Sequence, residues 1–271
     1  GLRTSLLYDG VYAPRGQARF AERTASNISP AHVDSLAAIV AYFTIPTMGV
    51  TADVAQRGIP RAQPVMRWFA TRYAPPPFPG RIDVARAARG EALYDAGCAS
   101  CHGRHASGPA PRALVRFPNR LVPQAEMGTD SARWAMVDTA FLGALNRTSF
   151  AAYATPARTG GYVAPILSGV WATAPYLHNG SVPTLWALFS PAARPVAFPV
   201  GGHRLDYADV GIAIDVDASG VASYPGGHVP WSTPELYDTR MPGLSNRGHE
   251  RYTAGLTDEQ KRDLIEYLKL L

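Results

Sequence analysis

Cys98-Ala99-Ser100-Cys101-His102 places two cysteines three positions apart with a histidine beside the second, the spacing that attaches a c-type haem. On a helical or turned backbone both thiols face the same way. Each can then add to one vinyl group of a single porphyrin while the His102 imidazole swings under its iron. These are the only two cysteines in the sequence, so the motif uses the whole thiol inventory. A local disulfide or a redox dithiol would have no use for the adjacent histidine. A zinc site would need a second Cys or His pair, and none stands at a recognisable spacing.

A haem held in this way needs a fold around it, and composition limits that fold. The 271 residues suffice to bury a sizeable core. With 25 glycines and 24 prolines, many turns and long irregular connections are expected rather than a regular sheet or bundle, and a covalent haem would supply much of the core. The formal charge of +5 is modest, and no arginine or lysine run of the nucleic-acid kind occurs. A basic face that docks an acidic redox partner stays open. No apolar stretch approaches membrane-spanning length, and no signal peptide stands at Gly1. Because covalent haem attachment takes place outside the cytoplasm, the expectation is a mature form or a fragment, periplasmic or extracellular in a bacterium.

In chain order, residues 1–73 read as a helix plus loops. Ser29 is an N-cap with Pro30 in the first turn, and Val33, Leu36, Val40 and Phe43 recur at helical spacing. Pro46, Gly49, Gly58 and Pro60 are expected to break the remainder of this segment into short pieces. His32 and Met48 read more simply as a surface helix position and a gap-filler in an apolar loop than as iron ligands. Residues 74–80, Ala-Pro-Pro-Pro-Phe-Pro-Gly, form a stiff extended linker, and the domain boundary is placed there. Residues 81–271 then begin with a helix over 82–96 that runs into Gly97 and the cysteine motif. A second helix is expected over 131–142, capped by Asp130, with Trp134, Val137 and Phe141 on one face. A third closes the chain: Thr257 and Gln260 form a capping box ahead of Leu264, Ile265, Leu268 and Leu271.

Those parts resemble the cytochrome c fold. Gly90-Glu91-Ala92-Leu93-Tyr94 looks like its first helix, in which a small residue lets the last helix cross closely, and Tyr267 would be the aromatic partner. The fold class expected is therefore mainly α: a cytochrome c fold with long irregular loop insertions, preceded by a short helical and irregular segment. Thr173-Ala174-Pro175-Tyr176-Leu177-His178-Asn179-Gly180, continuing to Leu185, is similar to the signature of the bacterial di-haem cytochrome c peroxidase superfamily. Val200-Gly201, Val210-Gly211 and the run from Asp238 through Met241 to His249 and Glu250 resemble its rubber-oxygenase branch. Leu6-Leu7-Tyr8-Asp9-Gly10 resembles the stretch just after the first haem domain there, which would make this chain a second half. Members of that superfamily carry two haem motifs, one for the chemistry and one for delivering electrons. This sequence has one, so either the first haem domain was removed or lies on another chain, or the protein works with a single haem.

The second axial position on the iron then decides function. His249 stands just before the capped terminal helix, and the resemblance assigns the role to the histidine of Gly248-His249-Glu250. Met241, in the same loop, is the runner-up, and a methionine ligand would raise the redox potential. The resemblance makes His178, after Tyr176 and Leu177, a pocket or inter-haem contact. His105 is too near His102 in sequence to reach the opposite face, and His203 and His228 read as surface residues. Pro109 falls where cytochromes c often place a proline whose neighbourhood backs the proximal imidazole. Arg112, Arg116 and Arg120 are candidates for the haem propionates, and Trp171 and Trp186 for an electron path. Asp206, Asp209, Asp215 and Asp217 weakly suggest calcium, which related di-haem enzymes bind, although their spacing is not that of a calcium loop.

The expected function is electron transfer by a six-coordinate haem ligated by His102 and His249, the relay half of a peroxidase-like or oxygenase-like di-haem assembly, with another haem protein or haem domain as its partner. The alternatives are an enzyme whose open axial site reduces peroxide or activates oxygen, and a structural haem subunit of a larger redox complex.

Overall fold

The computed structural model describes residues 2–271, the Pro46 side chain excepted, so Gly1 and any reading of the chain's start lie outside the described residues. Ser29 accepts a hydrogen bond from the His32 amide with Pro30 in the first turn, and the helix Pro30–Tyr42 begins there. Its buried stripe runs through Val33, Leu36 and Ile39, while Val40 turns outward. The expected fragmentation beyond it does not occur. A short helix, Thr44–Met48, is followed by the 20-residue helix Ala52–Thr71, which continues through Gly58, Pro60 and Pro64. Both prolines sit on its exposed side, where water can satisfy the carbonyls that lose an amide partner, while Ala55 and Ile59 anchor the inner face. Met48 is 73% exposed, so it fills no gap. His32 is buried, its ring nitrogens bonded to Gln17 Oε1 at 2.7 Å and the Arg3 carbonyl at 2.8 Å.

This helical pair shares an apolar cluster with Val11, Tyr12, Val137, Phe150 and Ala154. The strand Tyr12–Pro14 pairs with Ala154–Pro156, and Arg23–Thr24 with Leu114–Phe117, so the first segment is tied to the middle of the chain. The middle helix is split into Ala132–Ala135 and Thr139–Asn146, because the Asp138 carboxylate accepts from the Phe141 amide at 2.7 Å and caps a new start. The 74–80 stretch forms no helix or strand, yet Phe78 is buried edge-on against Trp171, ring centroids 5.7 Å apart. Helix makes up 39% of the structure and strand 15%. Among the described residues the strands form only two- and three-stranded sheets, so the mainly α expectation holds for the core helices while the loops carry paired β-segments.

The second core lies between the helices Val84–Gly97 and Asp258–Leu268. Gly90 is at their crossing: a Cβ there would lie 2.0 Å from the Asp263 carbonyl oxygen and 2.9 Å from Tyr267 Cβ. Tyr94 and Tyr267 pack at 4.9 Å between ring centroids with their planes tilted 46°, and Thr257 with Gln260 closes the reciprocal capping box. Gly90→Ala gains helix propensity but forces the backbones apart, and overpacking of this kind costs about 1–3 kcal/mol. A thermal midpoint several degrees below wild type is expected; an unchanged midpoint would mean that the two helices do not meet at Gly90.

One local structure occurs twice. Leu6 bridges Tyr12 around a turn with Leu7 at φ 65° and Gly10 at φ 63°, and Tyr176 bridges Val182 around a turn with Leu177 at φ 66° and Gly180 at φ 72°. In both, the glycine amide donates to the leucine carbonyl at 3.3 Å.

Candidate haem site

The Val84–Gly97 helix delivers the cysteine motif. Cys98 ends it, and the amides of Cys101 and His102 both donate to the Cys98 carbonyl, at 3.0 and 2.9 Å, in a turn that sets the two thiols one step apart. The two cysteines form no disulfide. Cys98 and His102 line a cavity of about 280 Å³ whose other walls are mostly aliphatic and aromatic. Burial pushes the Cys98 thiol up to about 11, with the neighbouring Cys101 adding to the shift. This turn thus brings one thiol and one imidazole to the wall of one apolar cavity, with the second thiol a single turn away.

His102 is oriented by the carbonyl of Pro165, itself a residue of the cavity wall, 2.9 Å from its Nδ1. That bond leaves Nε2 as the nitrogen available to a metal, the arrangement that fixes the tautomer and ring angle of a metal-bound histidine. Pro165, not Pro109, supplies this contact; Pro109 is exposed on its loop and does not line the cavity.

Across the cavity stands His249, its ring centroid 6.3 Å from that of His102. Two imidazoles on opposite sides of one metal, each bonded at about 2.0–2.1 Å, have centroids roughly 6 Å apart. Burial lowers both imidazoles, His249 to about 3 with the charges of His102 and Arg194 adding to it, so both are neutral, as metal ligands must be. The His249 Nδ1 is buried without a hydrogen-bond partner in the chain. The backbone of His249 is left-handed, φ 72°, and its amide donates to the Met127 carbonyl at 3.0 Å. A non-glycine residue there costs of order 1–3 kcal/mol and persists only where its surroundings hold it. Met241, in contrast, is 56% exposed and does not line the cavity.

Tyr176 and His178 both reach the cavity. The Tyr176 hydroxyl lies 3.2 Å from both the Val170 and Val210 carbonyls, which fixes the signature turn to its neighbours, and burial raises its hydroxyl well above the ordinary range. His178 stacks on Tyr162 at 4.2 Å between centroids and has Nδ1 3.4 Å from Thr129 Oγ1; burial lowers it to about 4. Asn179 donates to the carbonyls of Gly243 and Ser245, at 3.2 and 3.0 Å, and so ties this turn to the loop that carries His249.

Other expectations fare differently. Arg112, Arg116 and Arg120 pair with Glu91, Glu22 and Glu126, so the three propionate candidates are turned to carboxylates of the chain itself. His105 packs edge-on to Tyr94 outside the cavity. Trp171 is buried with its indole N–H on the Pro76 carbonyl, and Trp186 lies under the Arg262 guanidinium at 3.9 Å, so both serve packing. Asp206, Asp209, Asp215 and Asp217 do not converge. Asp209 pairs with Arg262, and Asp217 caps its own turn. Among the described residues no group of three or more His, Cys, Asp and Glu side chains is placed to hold a metal ion, which leaves calcium without support. Among the same residues no helix is long and apolar enough to cross a membrane.

Sequence comparison bears on the same elements. A RoxA-like, cytochrome c-like family model matches residues 161–199, which include Pro165, Tyr176 and His178. A model described as cytochrome C oxidase, cbb3-type, subunit III matches residues 85–140, which include Cys98, Cys101 and His102. These matches support a c-type cytochrome. Haem c as the cofactor and haem-based electron transfer follow at that level. The chain is 32% identical over 242 residues to the uncharacterized protein y4iM of Sinorhizobium fredii (strain NBRC 101917 / NGR234), across 74% of this chain and 52% of that protein. It is 40% identical over 119 residues to the uncharacterized protein y4iJ of the same strain, across 41% and 18%. The chain thus spans about half the length of the first of these relatives and under a fifth of the second.

Sequence reasoning missed the Pro165 carbonyl, Thr129 and Arg194. The first acts through its backbone and leaves no side-chain signal. Arg194 binds mostly backbone carbonyls, which leave none either.

Proposed function

We propose that this cytochrome transfers single electrons through one haem c tethered by Cys98 and Cys101 and ligated by His102 and His249, as the relay half of a two-haem, peroxidase-like or rubber-oxygenase-like assembly. The observation that carries this reading is the opposed pair of neutral imidazoles 6.3 Å apart across an apolar cavity. Haem c, when bound, supplies a one-electron iron couple, and two histidine ligands set its potential below that of a His/Met pair. The chain's own residues do the rest. His102, fixed by Pro165, and His249 would hold the haem iron, and aliphatic walls such as Leu185, Leu188 and Leu264 keep water from the cavity. Tyr162 and His178 stack on one another at the cavity wall, where an electron can enter or leave.

The repeated turn at Leu6–Gly10 and Tyr176–Gly180 supports the second-half reading, because both copies bring a residue, Tyr8 and His178, to the same cavity. Residues 1–73 are then the remnant of a preceding haem domain, with Leu6–Gly10 corresponding to the stretch just after it, and the partner is another haem protein or domain, within one chain or within a larger redox complex. Covalent haem attachment sets the location outside the cytoplasm, in the periplasm or beyond.

The chain matured with its haem and purified tests this. A low-spin absorption spectrum is expected, unchanged by peroxide, cyanide or carbon monoxide, with rapid reversible reduction by a small electron donor. A high-spin spectrum that shifts with peroxide and consumes it would instead make the protein an enzyme with an open axial site.

A further inference from the structure

Arg194 is the most completely satisfied side chain near the site. Its guanidinium is 4% exposed. Nε donates to the Ala187 carbonyl at 3.1 Å, and Nη1 to the Asn246 carbonyl at 2.5 Å and to Glu250 Oε1 at 2.6 Å. Nη2 donates to the carbonyls of Leu188 at 3.0 Å and Gly248 at 3.1 Å. Five N–H groups thus meet five acceptors, the full capacity of an arginine. Two acceptors lie on the Leu185–Phe189 helix, which forms a cavity wall. The other three lie on residues 246, 248 and 250, which bracket His249.

Glu250 completes the clamp, since both of its carboxylate oxygens accept the Gly248 amide at 2.8 Å. On the far side of the loop Gly248, φ 117°, lies so near Thr129 that a Cβ would come within 2.5 Å of the threonine Cβ. His249 is therefore held in its left-handed backbone from both sides. A lysine could supply only three donors from a single atom and cannot span wall and loop together.

Resting on the reading of His249 as an iron ligand, we infer that Arg194 is the positioning residue that locks the His249 loop to the cavity wall and so keeps the sixth coordination position closed. Without the clamp, the strained loop relaxes and His249 leaves the metal for part of the time. Small ligands then reach a position from which the wild type excludes them.

Arg194→Lys in the haem-loaded protein is the test, with Glu250→Gln as a milder second variant that keeps the loop's shape and weakens one contact. Haem stays covalently bound in both, because Cys98, Cys101 and His102 are untouched; whole-protein mass checks this. Arg194→Lys should give a mixed low-spin and high-spin spectrum, and added imidazole should restore the low-spin form. Binding of carbon monoxide to the reduced protein should rise roughly tenfold or more, the factor that goes with losing one charge-assisted hydrogen bond. Glu250→Gln should show the same change at smaller amplitude. If both variants melt earlier yet stay fully low-spin and inert to carbon monoxide, Arg194 is only structural and the inference is wrong. Failure of the underlying reading looks different: His249→Ala would then leave the wild-type spectrum unchanged.

Discussion

With His249 on the iron as proposed, its replacement by alanine is expected to convert a low-spin haem protein, inert to carbon monoxide, cyanide and peroxide, to a high-spin form that binds all three. The effect is large because the alternatives weighed from the sequence are engaged elsewhere: Met241 is 56% exposed, and His178 packs against Tyr162. A glycine at the same position separates ligation from backbone strain. His249 sits at φ 72°, where an L-residue costs about 1–2 kcal/mol and glycine almost nothing. His249→Gly should therefore have the same high-spin spectrum as His249→Ala but a stability about 1 kcal/mol higher by denaturant unfolding. Identical stabilities would mean that the left-handed backbone is not under strain, and a low-spin spectrum in either variant would remove His249 from the iron.

The second large effect is expected from the double change Cys98→Ser and Cys101→Ser. Serine nearly preserves size but forms no thioether, so the haem is free to leave the cavity and the in-gel haem stain should vanish. Stability should fall as well. A cavity of about 280 Å³ that loses its apolar contents costs on the order of 7 kcal/mol, at about 24 cal/mol per Å³. That is comparable with the whole stability of a typical domain, so the variant should be recovered largely unfolded. Each single serine variant keeps one thioether and should retain covalent haem at reduced yield. A double variant that folds with wild-type stability and colour would show that the tether contributes nothing.

The parts of the fold legible in the sequence were those governed by local chemistry. Ser29 and Thr257 mark helix starts because their side chains satisfy nearby amides, and Gly90 marks a crossing because only hydrogen fits against the Asp263 carbonyl. The long Ala52–Thr71 helix was hidden because Pro60 and Pro64 look like breaks, and nothing local says that both will face water. Asp130 and Asp138 each accept one backbone amide, from Ala132 at 2.8 Å and from Phe141 at 2.7 Å, so the helix starts twice, a split that pattern alone does not show. At the site, Cys98, Cys101 and His102 stood out by type and spacing, and His249 by its place ahead of the terminal helix and by the family resemblance; the structure brings His102 and His249 to one cavity. The Pro165 carbonyl is 63 residues from His102 in sequence, and the Arg194 clamp reaches loops 52 to 56 residues away. Contacts of that range, made to backbone atoms, arise from the tertiary fold and from nothing in the sequence nearby.

Function in this protein rests on which groups hold the iron from above and below. Electron paramagnetic resonance of the oxidised, haem-loaded chain measures this directly. The expected spectrum is a single low-spin species with two nitrogen axial ligands, lost on replacement of either His102 or His249. A dominant high-spin signal in the wild type, or a low-spin signal that survives the loss of His249, would contradict it.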